Sequence, residues 1–275
     1  MRYCKTFGAL AAFDLPMKRI AFLLTLGLAA VLPAFADQDP AAAVYELRIY
    51  TTNEGKLPDL LARFRDHTCR IFERVGIKNI GYWVPVDEEN GASNTLIYVI
   101  EHASRDAATA SWKAFGADPE WQEARKASEA NGKLLANPPV SIFMQPTDFS
   151  PVLKIDAANP ERTFELRTYT TPEGKLPALH SRFRDHTMAL FTKHGMTNMI
   201  YWAPTDADKG AGTKLIYLLA HASKEAGLAS FGAFRQDPDW IAAKAESEKD
   251  GSLTVPGPEG VKSIYMKPTD FSPLK

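Results

Sequence analysis

The run Glu46-Leu47-Arg48-Ile49-Tyr50-Thr51-Thr52 comes back 119 residues later as Glu165-Leu166-Arg167-Thr168-Tyr169-Thr170-Thr171. Glu-Gly-Lys-Leu-Pro follows in both places, at Glu54 to Pro58 and Glu173 to Pro177. Arg63-Phe64-Arg65-Asp66-His67-Thr68 returns as Arg182-Phe183-Arg184-Asp185-His186-Thr187, Tyr82-Trp83 as Tyr201-Trp202, and His102-Ala103-Ser104 as His221-Ala222-Ser223. The spacing holds at 119 through Trp121 and Trp240, then becomes 122 at Asp148 and Asp270. The second copy therefore carries three extra residues near Leu253 to Gly260. About half of the aligned positions are identical, and so long a period means a duplicated domain, not a solenoid of short repeats. Any fold for one half must dock onto a second version of itself.

Within a copy, Val44 to Thr51 alternates and is rich in β-branched and aromatic residues, the pattern of a half-buried strand. Gly55 opens a helix with Pro58 in its first turn, where no intrahelical donor is required. Leu57, Leu60, Leu61, Phe64, Thr68, Ile71 and Phe72 keep helical spacing until Gly76. Strands are expected at Asn79 to Val84 and Thr95 to Glu101. Ser104 caps a second helix, Asp118-Pro119 breaks it, and Val140 to Gln145 is the last strand.

A β-α-β-β-α-β order is ferredoxin-like: one antiparallel sheet with both helices on one face. The other face needs cover, and the second copy offers its own. The expected fold is α+β, with two tandem ferredoxin-like domains at residues 44–151 and 163–275 and a linker at 152–162. Together they form a pseudo-dimeric α+β barrel within one chain, with a lumen between two sheets.

The segment before the repeats reads differently. Met17-Lys18-Arg19, the apolar run Ile20 to Val31 and Ala34-Phe35-Ala36 are the three parts of a secretory signal peptide. The run is shorter than the about 20 residues a bilayer span needs. Translation is expected to start at Met17, and the leader, residues 1–36, to be removed on export to the periplasm or medium, leaving no stable membrane span. Cys4 leaves with the leader, so Cys69 has no internal disulfide partner. Met188 in the matching place marks Cys69 as a packing residue. Lys+Arg at 32 against Asp+Glu at 33 lacks the basic surplus that nucleic-acid binding needs.

Tyr45-Glu46-Leu47-Arg48-x-Tyr50, Gly55-Lys56, Phe64-Arg65-Asp66-His67-Thr68, Tyr82-Trp83, Asp118-Pro119-x-Trp121 and the Pro-Thr-Asp-Phe-Ser-Pro end resemble the NIPSNAP family in both copies. The resemblance covers nearly all of the chain from Val44 onward and implies the dimeric α+β barrel fold. Relatives on that fold include cofactor-independent monooxygenases, haem enzymes and plain ligand binders. The family supplies no settled reaction and no assigned catalytic residues, and likeness of fold is not likeness of function.

Strand alternation puts Glu46, Arg48 and Tyr50 on one face and Tyr45, Leu47 and Ile49 on the other. With the apolar set under the helices, Glu46, Arg48 and Tyr50 are expected to line the lumen, opposite Glu165, Arg167 and Tyr169. Such a set orients a polar or anionic small molecule, or else neutralises itself as an ion pair between the sheets. Trp83 and Trp202 are stacking or packing residues, and His102 and His221 close the third strands of their copies, at the cavity rim or the next helix turn. His67 and His186 lie on or beside the apolar helix face, as hydrogen-bonded core residues or as general bases. No metal-ligand spacing, haem-ligand pattern, nucleophile arrangement or phosphate-cradling loop is visible, so no cofactor is expected.

The leading expectation is an exported protein that binds a small molecule in the lumen. One alternative is a cofactor-independent monooxygenase or isomerase using His67 or His186 as base and Arg48 or Arg167 as oxyanion stabiliser. The other is a structural or interaction module with a filled lumen. Oligomerisation is compatible with all three.

Overall fold

The structure, a computed structural model, describes residues 43–155 and 161–275. The expected leader, with Cys4, and the linker's Asn159-Pro160 lie outside the described residues. The first repeat runs β1 (Val44–Thr51), α1 (Leu57–Arg63), a π-helical turn (Phe64–Thr68), α2 (Cys69–Arg74), β2 (Lys78–Pro85), β3 (Thr95–His102), α3 (Arg105–Ala117), α4 (Pro119–Ser128) and β4 (Val140–Pro146). The second runs β5 (Thr163–Thr170), α5 (Leu176–Arg182), a π-helical turn (Phe183–Thr187), α6 (Met188–Lys193), β6 (Thr197–Pro204), β7 (Lys214–His221), α7 (Lys224–Gln236), α8 (Pro238–Ser247) and β8 (Val261–Pro268). No described helix is long and apolar enough to cross a membrane.

Local chemistry sets the boundaries. The Ser104 hydroxyl accepts from the Ala107 amide, and the Asp118 carboxylate accepts from the Trp121 amide with Pro119 at the first helical position. Those two caps divide α3 from α4.

The eight strands close in the order β1-β3-β2-β8-β5-β7-β6-β4, with β4 returning to β1, every neighbour antiparallel. Each repeat supplies four adjacent strands. The seams are β2 on β8, where Val84 faces Lys267, and β4 on β6, where Gln145 faces Ala203. Among the described residues, closure leaves no free strand edge.

The barrel interior is a joint core. Leu47, Trp83, Ile97, Val99 and Met144 pack there with Phe164, Leu166, Trp202, Ile216, Leu218 and Met266, and Tyr45 and Ile49 pack against them. Each outer face carries its own helices over a second core: Phe64, Phe72, Tyr82, Tyr98 and Phe115 in the first repeat, Phe183, Phe191, Tyr201, Tyr217 and Phe234 in the second.

The tails are exchanged. Thr147 to Pro151, after β4, lies on the second repeat: the Thr147 amide donates to the Tyr201 carbonyl at 2.9 Å, and the Ser150 hydroxyl accepts from the Tyr201 amide at 3.0 Å. Thr269 and Ser272, after β8, make the same bonds to Tyr82, at 2.9 Å each. This is the work of the Thr-Asp-Phe-Ser-Pro ending in both copies.

Candidate functional site

The polar strand residues gather on the helix side of the sheet. Leu47, in the apolar set, fills the barrel, whereas Glu46, Arg48 and Tyr50 lie under the helices, where Arg48 stacks 4.4 Å from the Trp112 ring of α3. The expected assignment of faces is therefore reversed, for both Glu46, Arg48, Tyr50 and Glu165, Arg167, Tyr169. A closed barrel offers no route to water, so it takes the wholly apolar set. The helix layer has edges, where a guanidinium stem is buried and its head keeps some contact with solvent. Trp83 and Trp202 do face the interior, where their buried indole N–H groups have no hydrogen-bond partner.

Glu46 is the centre of the first cluster, 1% exposed. Its Oε1 accepts from Arg48 Nη1 and from the Ser141 hydroxyl, both at 2.6 Å. Its Oε2 faces His102 Nε2 at 3.0 Å and accepts from Trp112 Nε1 at 2.8 Å. Burial pushes this carboxyl up, but the His102 bond, the Arg48 charge and the Ser141 and Trp112 bonds outweigh it and hold it at about 2. A carboxylate with four donors is saturated, so it fixes its neighbours and is no free base. Arg48 also reaches the Tyr50 hydroxyl through Nη2 at 3.3 Å and keeps 14% of its side chain exposed.

The second cluster repeats the plan with one exchange. Glu165 accepts from Arg167 and Ser263 and faces His221 Nε2 at 2.9 Å. Trp112 is replaced by Phe231, whose ring lies 4.3 Å from the Arg167 guanidinium and offers no donor. Tyr265, opposite Glu165 across β5–β8, takes the place on β8 that Phe143 holds on β4, and burial and the Glu165 charge push its phenol up. Tyr169 is half-buried, and although burial pushes its phenol up, the Arg167 charge, the bonds to Tyr217 and Arg167 and the Arg182 charge pull it below the ordinary value. Burial drives the Tyr217 phenol the other way.

His102 and His221 thus join the clusters as partners of the glutamates, not as rim residues. His67 and His186 do not join. Cys69 donates its amide to the Phe64 carbonyl across a five-residue turn, and the Thr68 hydroxyl donates to the Arg63 carbonyl at 3.2 Å. This wider turn keeps Phe64 and Thr68 buried and swings His67 outward. His67 is 43% exposed, 3.4 Å from Glu120 of α4, and His186 is exposed. His67 lines an open groove of about 280 Å³ with Asp59, Asp66 and Asn131. The expected core-facing position fails because even helical spacing does not hold through a π turn.

Sequence reasoning missed Ser141, Ser263, Trp112 and Tyr265. The two serines sit opposite Arg48 and Arg167 across β1–β4 and β5–β8, a register that strand pairing alone reveals. Trp112 and Tyr265 escape a comparison of copies because each occurs in one copy alone. Among the described residues, no group of three or more His, Cys, Asp or Glu is placed to hold a metal ion. Burial lifts the Cys69 thiol to about 12, far from a nucleophile's range.

A NIPSNAP family model matches residues 45–151 and again 164–273. The chain belongs to the NIPSNAP family. It is 26% identical to the mouse protein NipSnap homolog 3B over 231 residues, 84% of this chain and 85% of that one. A NipSnap homolog of Dictyostelium discoideum is 27% identical over 135 residues, 48% of this chain and 51% of the other. Among solved structures, an anthrone oxidase-like protein matches 86% of this NIPSNAP chain and 94% of its own at 15% identity and TM-score 0.51. A Lactobacillus acidophilus protein proposed to be a monooxygenase matches 82% and 93% at 11% identity and the same TM-score. At those identities the likeness is one of fold.

Proposed function

We propose that this NIPSNAP protein is an exported small-molecule binder whose ligand seats lie between sheet and helices, not in the barrel interior. One observation carries the reading: in each half a guanidinium and two phenols converge under the helices, and the guanidinium keeps 14% (Arg48) or 13% (Arg167) of its side chain open to solvent. A charged fork beside aromatic rings is the chemistry that orients a small anionic or polar ligand. The filled interior supports moving the ligand away from the lumen.

Native mass spectrometry of freshly purified protein tests the reading, followed by thermal-shift screening with small carboxylates and phenols. The expected result is a retained adduct or a stabilising ligand that the Arg48→Lys plus Arg167→Lys variant loses. Neither an adduct nor a shift overturns it in favour of a structural or interaction module. Export rests on the pattern from Met17 to Ala36. N-terminal sequencing of the protein from cell envelope or medium is expected to begin at Asp37, and an uncleaved cytoplasmic chain overturns that part.

A further inference from the structure

We propose that the two clusters are unequal, and that the first repeat's, around Arg48, Tyr98 and Trp112, is the seat of a small oxyanion carried on an apolar body. This rests on the binding reading above and names which half binds and what it takes.

Matching atoms differ in their partners. In the second repeat Arg167 Nε donates to the Tyr217 hydroxyl at 3.0 Å, so the two groups satisfy each other. In the first repeat Arg48 Nε and the Tyr98 hydroxyl are both buried without a hydrogen-bond partner. Native structures rarely leave buried donors unmet, and a buried N–H gains most from a charged oxygen. The Arg167–Tyr217 pair has closed on itself, while at the matching place the first cluster offers an N–H and an O–H to an incoming acceptor.

The rims differ in the same direction. Phe231 and Tyr265 are 5% and 7% exposed, whereas their counterparts Trp112 and Phe143 are half-buried. The Tyr265 ring packs close beside His221: a Cβ at Gly227 would sit 2.9 Å from Tyr265 Cε1 and 3.0 Å from its hydroxyl and from His221 Cγ, so one of these side chains would have to shift. The first repeat has Ala108 at that place and no phenol to fill the space. Two aromatic side chains at the more open rim favour an apolar body, and the two unmet donors, the guanidinium's own Nε and the Tyr98 hydroxyl, favour a carboxylate or phenolate head.

Benzoate is the probe. Trp112 has no counterpart in the second cluster, so its indole N–H resonance, assigned by its loss in Trp112→Phe, reports on the first site. The expected result is one benzoate per chain by calorimetry, with a shift of that resonance. Tyr98→Phe should weaken binding about tenfold, the worth of one hydrogen bond to a charged group, and His67→Ala, outside both clusters, should leave it unchanged. Without ligand the order reverses: Tyr217→Phe lowers Tm by several degrees and Tyr98→Phe does not. Two equivalent sites, or binding lost through Tyr217→Phe alone, overturns the inequality and leaves the binding reading standing. No response to benzoate in heat or resonance overturns the oxyanion assignment, and the retained adduct in native mass spectrometry then decides the broader reading by itself.

Discussion

The guanidinium of Arg65 forks onto Asp270, 205 positions along the chain, with Nε and Nη2 at 2.6 and 2.8 Å from the two carboxylate oxygens. Arg184 and Asp148 make the reciprocal contact, with Nε and Nη2 at 3.1 and 2.6 Å from the single oxygen Oδ2. Each repeat thus holds the tail of the other, and the duplicated ending makes one barrel from two copies. The ion pair lies over an aromatic contact, Phe271 against Phe64 and Tyr82, with Leu274 fully buried beyond it.

That layering predicts which part of the clasp matters. Arg65 and Asp270 are 42% and 63% exposed, so their pair is worth less than about 1 kcal/mol. Removing the Phe271 ring opens a gap against two buried aromatics and should cost about 3 kcal/mol. Urea unfolding of Arg65→Ala beside Phe271→Ala should show the larger loss in the second. Equal losses would mean that charge, not packing, closes the barrel.

Acid should dismantle the glutamate clusters. The folded-state Glu46 carboxyl sits at about 2 against an ordinary 4.5, so the folded protein releases this proton more readily than the unfolded chain. The stability it contributes, on the order of 3 kcal/mol, is fully present above about 4.5 and is lost as pH falls toward 2. Glu165 is shifted in the same direction for the same reasons. Glu46→Gln should be less stable than the parent at pH 7, and the difference should shrink steadily below pH 4.5. A constant gap across that window would show that Glu46 is not ionised in the fold.

The outward position of His67 predicts a quiet mutant. His67→Ala should change stability by less than about 0.5 kcal/mol, as at most exposed sites. It should also leave ligand binding at Arg48 unaltered. Phe64→Ala, three residues away on the buried side of the same turn, should cost at least about 3 kcal/mol. A binding or activity defect in His67→Ala would reinstate the histidine as a functional group.

Much of this is legible in the sequence. The constant spacing revealed the duplication, and the Val44 to Thr51 alternation revealed a strand with one polar and one apolar face. Which face looked inward was not legible, since alternation fixes the sorting of side chains and not the direction of either set. Closure of the barrel decided that, by pairing β2 with β8 and β4 with β6 and sealing the interior. The π turn was equally hidden, because Phe64 and Thr68 fit ordinary helical spacing as well.

The exchange of donors between copies yields the sharpest prediction. Trp112→Phe removes a donor from Glu46 Oε2 in a buried site and should cost about 1–3 kcal/mol. The second repeat holds the matching carboxylate without a tryptophan, with Tyr265 opposite it across β5–β8 and Gly227 leaving room for the Tyr265 ring. Phe143→Tyr added to Trp112→Phe should restore little, because the Ala108 methyl group stands where the second repeat has nothing. Adding Ala108→Gly should recover most of the loss, less about 1 kcal/mol for glycine in a helix. Denaturant unfolding of single, double and triple variants measures this coupling. Strict additivity of the three changes would show that the two repeats do not hold their glutamates by interchangeable means.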